Sequence, residues 1–286
     1  MVATIVSAPP RRRRRINWSS PVIYFIALVA IGLTIVPILY VVLGGFRSNS
    51  QLSVDPAGLP HPWIFSNYAH VLTSPDFWTE VGNSGISALT TTAGVIILGV
   101  MAAFAIARFQ FRGREVLYTT FTLGLLFPLT VAVLPLYLLL QNSGLLGSLV
   151  GVIIPQVAFA LPVTIIILVP FLRAIPVELE DAAAIDGAGR FGFFWRIVLP
   201  LSGPGLVTVG VLAFVNSWNS FLLPLIVLSD PGTYTLPLGV QNFSTEYSQD
   251  TASVLAFTAL SMLPAMIFFS LAERRIVGGL TGAVKG

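Results

Sequence analysis

Ile175-Pro-Val-Glu-Leu-Glu-Asp-Ala-Ala-Ala-Ile-Asp-Gly-Ala-Gly-Arg-Phe-Gly-Phe-Phe-Trp-Arg-Ile-Val-Leu-Pro200 is a charged, helix-forming segment in a chain that otherwise reads as membrane. Glu178, Glu180, Asp181 and Asp186 are four of its twelve acidic residues. Pro176 suits the first turn of a helix, where its missing N–H would be unpaired anyway. The carboxylates at 178, 180 and 181 favour the positive N-terminal end of that helix. Gly187 and Gly189 supply permissive backbone for a sharp turn, and Phe191 to Val198 resumes with aromatic residues before stopping at Pro200. The segment therefore predicts helix, glycine turn, helix. Ala182, Ala183 and Ile185 have no core of their own here, and an apolar helical face on a water-side loop calls for a partner. The other reading is an amphipathic loop resting on lipid headgroups. Four carboxylates beside an anionic leaflet argue against it.

Around this segment the composition is that of a membrane protein. Hydrophobic residues make up 55% of the 286, charged residues 9%, and the mean hydropathy is +0.88. A soluble domain carries roughly 25% charged residues, so this chain cannot hide its apolar surface in one aqueous core. Cysteine is absent, which excludes disulfides and thiolate chemistry. A bilayer-crossing helix needs about 20 mostly apolar residues. Six segments qualify, at about 21–45, 84–107, 116–140, 149–172, 203–228 and 251–272. The expected fold is all-α with six transmembrane helices. The first segment is longer than the apolar core of a signal peptide, about 7–15 residues, and no small-residue cleavage site follows it. It reads as a retained anchor.

Charge sets the orientation. Arg11 to Arg15 precede the first span, and Arg108, Arg112 and Arg114 lie between the second and third. Arg173, Arg190 and Arg196 lie between the fourth and fifth, and Arg274, Arg275 and Lys285 follow the sixth. Fourteen basic residues thus share one side, against Arg47 alone on the other. The positive-inside rule places both termini, the 108–115 loop and the 173–200 loop in the cytoplasm. The loops at 46–83, 141–148 and 229–250 then face outward. The first of these is rich in Trp and Tyr, which serve as interface anchors or as a docking surface.

No ionisable side chain lies in the middle of any proposed span. That counts against proton-coupled carriers and voltage sensors, which need such groups at membrane depth. It also counts against an intramembrane hydrolase, which needs a base beside its nucleophile. His61 and His70 lack metal-ligand spacing, so no metal site is expected. No phosphate-gripping G-x-x-x-x-G-K-[ST] loop exists, since the sole lysine is Lys285. If ATP is used, another chain hydrolyses it.

The polar residues inside the spans are few. Asn216, Asn219 and Ser220, three and four residues apart, predict one polar face on span five. With Trp218 they line a path for a neutral, hydroxyl-rich solute, or serve as interhelical glue. Thr90, Thr91 and Thr92 are weaker candidates, because threonine can satisfy itself on its own helix. Pro128, Pro135, Pro155, Pro162, Pro224 and Pro264 are expected to bend or interrupt helices.

Asp181-Ala-Ala-Ala-Ile-Asp-Gly187, nine further residues, and then Ile197-Val-Leu-Pro200 resembles the E-A-A-x3-G-x9-I-x-L-P loop of ABC importer permeases, with Asp181 in place of the leading Glu. Trp218-Asn-Ser-Phe-Leu-Leu-Pro224 and Tyr234-Thr-Leu-Pro-Leu-Gly239 resemble the carbohydrate-uptake branch. The tail Gly279-Leu-Thr-Gly-Ala-Val-Lys-Gly286 is similar to the ending of the maltose-type second permease, one residue shorter before Gly282. The resemblance covers residues 16–286 as one permease domain of the type I importer fold. The basic tail 1–15 lies outside it and is expected to be disordered, a topology determinant rather than a nucleic-acid site.

That resemblance implies a non-catalytic subunit in a bacterial plasma membrane. Its partners would be a second permease in a heterodimer, two ATP-binding subunits that use ATP and Mg, and an extracytoplasmic solute-binding protein, with no cofactor bound by this chain. It implies ATPase coupling through Glu180, Asp181, Ala182, Ala183, Asp186, Gly187, Ile197 and Pro200. A second coupling contact would be Gly282, Ala283, Val284, Lys285 and Gly286. The solute expected is a sugar or oligosaccharide. A polar non-sugar such as a glycerol phosphodiester, or a stand-alone facilitator or channel, are the alternatives.

Overall fold

The computed structural model describes residues 21–243 and 250–283, with side-chain surroundings up to residue 270. Fourteen α-helices follow one another among the described residues: α1 (Pro21–Gly44), α2 (Asn49–Val54), α3 (Ser66–Thr73), α4 (Pro75–Arg108), α5 (Arg114–Gly124), α6 (Leu129–Asn142), α7 (Leu149–Arg173), α8 (Val177–Ile185), α9 (Arg190–Phe193), α10 (Leu199–Leu201), α11 (Gly203–Trp218), α12 (Leu222–Val227), α13 (Leu236–Gly239) and α14 (Thr251–Ala283). The all-helical expectation holds among these residues, where no strand occurs.

Among the described residues four continuous helices are long and apolar enough to cross a membrane, α1, α4, α7 and α14 through Ser270, and the number rises to six if each of two bent helix pairs is one span. The predicted span 116–140 is broken between α5 and α6, whose axes meet at 101°. Pro128, at the N-cap of α6, has an extended backbone (ψ 138°) that cannot continue the preceding helix. The predicted span 203–228 stops at Trp218 and resumes only as the short α12. On its other side, α11 turns by 73° from the Arg190–Leu201 run. The remaining prolines are absorbed: α7 runs through Pro155, Pro162 and Pro170, α6 through Pro135 and α14 through Pro264.

Helices α4, α7 and α11 form the centre of the bundle, and α14 packs on α11. One apolar cluster joins Val100, Ala103 and Ile106 of α4 to Ile165, Leu168 and Leu172 of α7. A second joins Ala88, Phe214 and Trp218 to Val71, Leu236 and Phe257 at the opposite end. Close approach depends on small residues, as it must where lipid supplies no hydrophobic drive between helices. Gly99 lies against Thr164, leaving no room for a Cβ. Helix α1 is apolar on all sides with only Gly44 buried, the pattern of a helix surrounded by lipid.

At the α2–α3 end, Arg47 is buried. It donates to the carbonyls of Gln51 (2.8 Å), Pro56 (3.0 Å) and Asp55. The Phe46 ring meets those of Trp63 and Tyr68 at a tilt and that of Phe65 edge-on. Tyr68 also donates to the Val42 carbonyl at 2.7 Å, and burial pushes its phenol up to about 12.

Candidate functional site: a coupling helix and a polar cavity

The segment 175–200 folds as helix, glycine turn, helix. Helix α8 ends in a Schellman turn: the Ala188 N–H donates to the Ala183 carbonyl (2.8 Å) and the Gly187 N–H to that of Ala184 (3.1 Å). This geometry needs a left-handed residue, and Gly187 takes it at φ +76°. Beyond α9 the chain forms a π-turn over Phe194–Val198. Pro200 follows after Leu199; lacking an N–H, it cannot sustain a regular i−4 ladder there.

Two faces of α8 separate cleanly. Ala183 is buried, and Glu180 turns toward the bundle. Val177, Asp181 and Ile185, spaced by four, are exposed on another face together with Ala182, and Ile185 is 86% exposed. The apolar content of the segment thus divides: Ala183, Phe193, Phe194 and Val198 join the α4–α7 core, while Ile185 and Val177 are exposed, without cover among the described residues. Ile197 is half-buried against that core, and Pro200 and Asp186 are exposed. Gly282 and Ala283 are described only as the end of α14, and Val284, Lys285 and Gly286 lie outside the described residues.

Two arginines, Arg108 and Arg190, tie this segment to the end of α4, and a third, Arg173, joins α7 to α5. The Arg108 side chain is only 5% exposed; it reaches Glu180 at 3.8 Å, donates to the Ile175 carbonyl and faces the Phe193 ring at 6.0 Å. Arg173 pairs with Glu115 at 3.2 Å, and Arg190 lies 4.9 Å from the centre of the Phe109 ring. Sequence reasoning used these charges for topology and missed the contacts.

Deeper in the bundle, α4, α7 and α11 line most of a partly open cavity of about 220 Å³, to which Leu129 of α6 and Leu223 of α12 also contribute. Asn216 and Ser220 line it, with Thr91, Gln156, Phe159, Thr164 and Ser217. The Gln156 Oε1 accepts from Thr91 Oγ1 (3.0 Å) and Ser217 Oγ (2.5 Å), linking all three helices. The expected single polar face of Asn216, Asn219 and Ser220 is not formed, because α11 ends at Trp218. Asn219 folds back to donate to the Val215 carbonyl at 2.9 Å. Trp218 is buried against Phe214 and points toward Ser261 of α14, so it and Asn219 border a different recess. Thr92 does satisfy itself on the Ala88 carbonyl (2.7 Å), whereas Thr91 turns to Gln156. Gln156 was overlooked, although it is the only amide in the span 149–172.

At the opposite end from α8, the Tyr234–Gly239 segment is strapped to α4. Asn83 Nδ2 donates to the Tyr234 carbonyl (2.9 Å), and the Leu236 N–H to Ser84 Oγ (2.7 Å). Glu80, 1% exposed, accepts from Asn242 Nδ2 at 2.7 Å, and its carboxylate fills the place where a side chain on Gly239 would begin. The glycine of that motif is the space Glu80 needs.

Residues 95–278 match the model of the binding-protein-dependent transport system inner membrane component family. The chain belongs to this family. It is the membrane-embedded permease component of an ABC transporter that works with a binding protein. It is 35% identical to the diacetylchitobiose uptake system permease protein NgcG of Streptomyces coelicolor, over 87% of this chain and 83% of that one. It is likewise 35% identical to the trehalose transport system permease protein SugB of Mycobacterium tuberculosis, over 90% and 95%. In fold it is similar to a chain in the crystal structure of a bacterial ABC transporter involved in import of the acidic polysaccharide alginate. That match has a TM-score of 0.73 at 23% identity and covers 88% of this chain and 93% of that one.

Proposed function

We propose that this permease carries a neutral sugar or short oligosaccharide across a bacterial plasma membrane, forming half of the translocation path. The observation that carries the reading is the cavity between α4, α7 and α11, where Gln156, Thr91, Ser217, Asn216 and Ser220 offer uncharged hydrogen-bonding groups and no ionisable side chain among the described residues lines the wall. Such a wall suits hydroxyl-rich solutes, and the sugar-transport relatives support the same choice. A glycerol phosphodiester would meet no positive charge there.

In this reading both termini and α8 lie in the cytoplasm, as the distribution of basic residues favours. The chain crosses six times, the α5–α6 and α11–α12 pairs being broken spans. A second permease completes the path, and two ATP-binding subunits hydrolyse Mg-bound ATP. The exposed face of α8, with Asp181, Ala182 and Ile185, seats in a cleft of one ATPase. Ala183, Gly187, Ile197 and Pro200 shape the element, Glu180 passes its movement to Arg108, and residues 282–286 make a second contact. An extracytoplasmic binding protein delivers solute at the α2–α3 end.

The test is to co-express the chain with its cognate permease, ATPase and binding protein, reconstitute the complex in liposomes, and follow ATP-dependent uptake of radiolabelled trehalose and diacetylchitobiose. Uptake of at least one, abolished by deleting residues 178–187, is expected. Full uptake by the deletion variant, or ATP-independent uptake by this chain alone, would overturn the reading.

A further inference from the structure

We propose that Gln156 contacts the solute directly, its side-chain amide donating a hydrogen bond to a sugar hydroxyl or ring oxygen during passage. The inference rests on the sugar reading above and adds that this subunit reads the solute rather than merely walling its path.

Both hydroxyl partners of Gln156 converge on one end of the amide. Thr91 from α4 and Ser217 from α11 donate to Oε1, while Nε2, shielded from solvent, has no partner among the described residues. Turning the amide over would exchange which end is left alone, not remove the deficit, since each of its four hydrogen-bonding positions wants a partner. A shielded donor without an acceptor is costly in an apolar surround, and folded proteins retain few of them. A structural hydrogen-bonding role accounts for Oε1 and leaves Nε2 unexplained.

The surroundings supply the explanation. Gln156 lines the cavity together with Phe159, an aromatic residue of the kind that packs against the C–H side of a pyranose, and with Asn216 and Ser220, which add polar groups. A few placed polar groups in an otherwise apolar wall are the usual design of a small-molecule site. The volume of about 220 Å³ falls below the roughly 300–1,000 Å³ of pockets that enclose a whole ligand. It accommodates one edge of a sugar and leaves the rest to a facing subunit. Nε2 is covered in this conformation. Ser217 supplies the one described hydrogen bond between α11 and Gln156, and in the proposal a movement of α11 relative to α7 uncovers the donor. A transporter that alternates access needs such a group, hidden at rest and met by solute when the helices part.

The experiment uses the complete reconstituted importer with trehalose and diacetylchitobiose as probes, together with their singly deoxygenated analogues. The analogues are supplied at concentrations that saturate the binding protein. For wild type, one analogue is expected to be taken up about five- to tenfold less efficiently, as for loss of one hydrogen bond. In Gln156→Met the parent sugar falls by a similar factor, and the penalty for that one analogue disappears while those for the others persist. Assembly with the partner subunits is followed in parallel, to separate a folding defect from a change in solute contact. Should Gln156→Met fail to assemble, Gln156→Ala carries the same comparison. Penalties that multiply for every analogue would mean a purely structural Gln156 and overturn the proposal while leaving the sugar reading intact. If wild type imports neither sugar, the sugar reading fails and the proposal fails with it.

Discussion

Arg108, the last residue of α4, lies 3.8 Å from Glu180 of α8 while the same guanidinium donates to the carbonyl of Ile175, just before that helix. One side chain from the longest helix of the bundle thus grips α8 at two points. The two grips differ in strength. A 3.8 Å ion pair with a carboxylate 36% exposed is worth at most about 1 kcal/mol. Stranding the buried Ile175 carbonyl costs about 1–3 kcal/mol. Arg108→Ala is therefore expected to reduce coupling of transport to ATP hydrolysis severely, by about tenfold or more, and Glu180→Gln only mildly. Uptake per ATP hydrolysed, measured for both variants, checks the order. Equal effects would mean that the ion pair dominates.

Glu80 and Gly239 occupy one another's space, and this makes a reciprocal prediction. Gly239→Ala forces a methyl group into the Glu80 carboxylate, an overpacking that costs about 1–3 kcal/mol. Glu80→Ala opens the site but loses the Asn242 tether. The double variant is expected to be more stable than the sum of the two single losses, since the added methyl enters the vacated volume. Thermal unfolding of all four proteins in detergent measures the difference, and strict additivity would contradict the geometry.

The Gly187 position is a milder case. Its left-handed backbone (φ +76°) penalises a side chain by roughly 1–2 kcal/mol, with open space around it. Gly187→Asn should therefore lose less than Gly187→Ala, because asparagine tolerates that conformation. Guided by sterics alone, the larger residue would be expected to do worse. Thermal stability of the two variants decides between these.

These sites show what the sequence could and could not disclose. The turn at Gly187 was legible because its cause is local: acidic first turn, short helix, glycine at the end. Pro128 was readable as a bend for the same reason. Pro155 and Pro162 lie inside a continuous α7, because whether a proline interrupts a membrane helix depends on what neighbouring helices supply around it. Gln156 was hidden by distance: its partners are 65 and 61 residues away, and an isolated amide in an apolar run does not reveal which helices face it. Asn216 and Ser220 reach the cavity although the unbroken helix expected to carry them ends at Trp218. Their shared side comes from a helix end followed by a turn, not from helical periodicity.

Asp250 predicts a pH dependence at the start of α14. Burial alone would raise its carboxyl, but hydrogen bonds from Ser253 and from Asn49 of α2 outweigh this and hold it below the usual range. A carboxyl depressed in the folded state stabilises above its unfolded value, about 3.9, and that contribution fades as pH falls through the lower folded value. Asp250→Ala should lose about 1 kcal/mol as a lost N-cap. The gap to wild type should be widest near neutral pH and shrink on acidification. Thermal unfolding across pH 3 to 7, in a detergent that tolerates acid, tests this; a gap that widens toward acid would carry the wrong sign.

Ile185 separates folding from docking. It is 86% exposed and contributes nothing to the core of the chain, whereas Ala183, two residues earlier, is 5% exposed within the α4–α7 cluster. Ile185→Asp should leave thermal stability within about 0.5 kcal/mol of wild type, as for a surface position, yet release the ATPase from the complex. Ala183→Asp should instead destabilise the chain itself by burying an unpaired charge. Asp181 lies on the same exposed stripe one turn before Ile185, so Asp181→Arg should also release the ATPase without unfolding the chain. Asp181→Glu adds only one methylene in open space and should retain it. Co-purification with the ATPase, alongside unfolding curves for each variant, distinguishes the two faces. An ATPase that stays bound to both Ile185→Asp and Asp181→Arg would place its contact elsewhere than on α8.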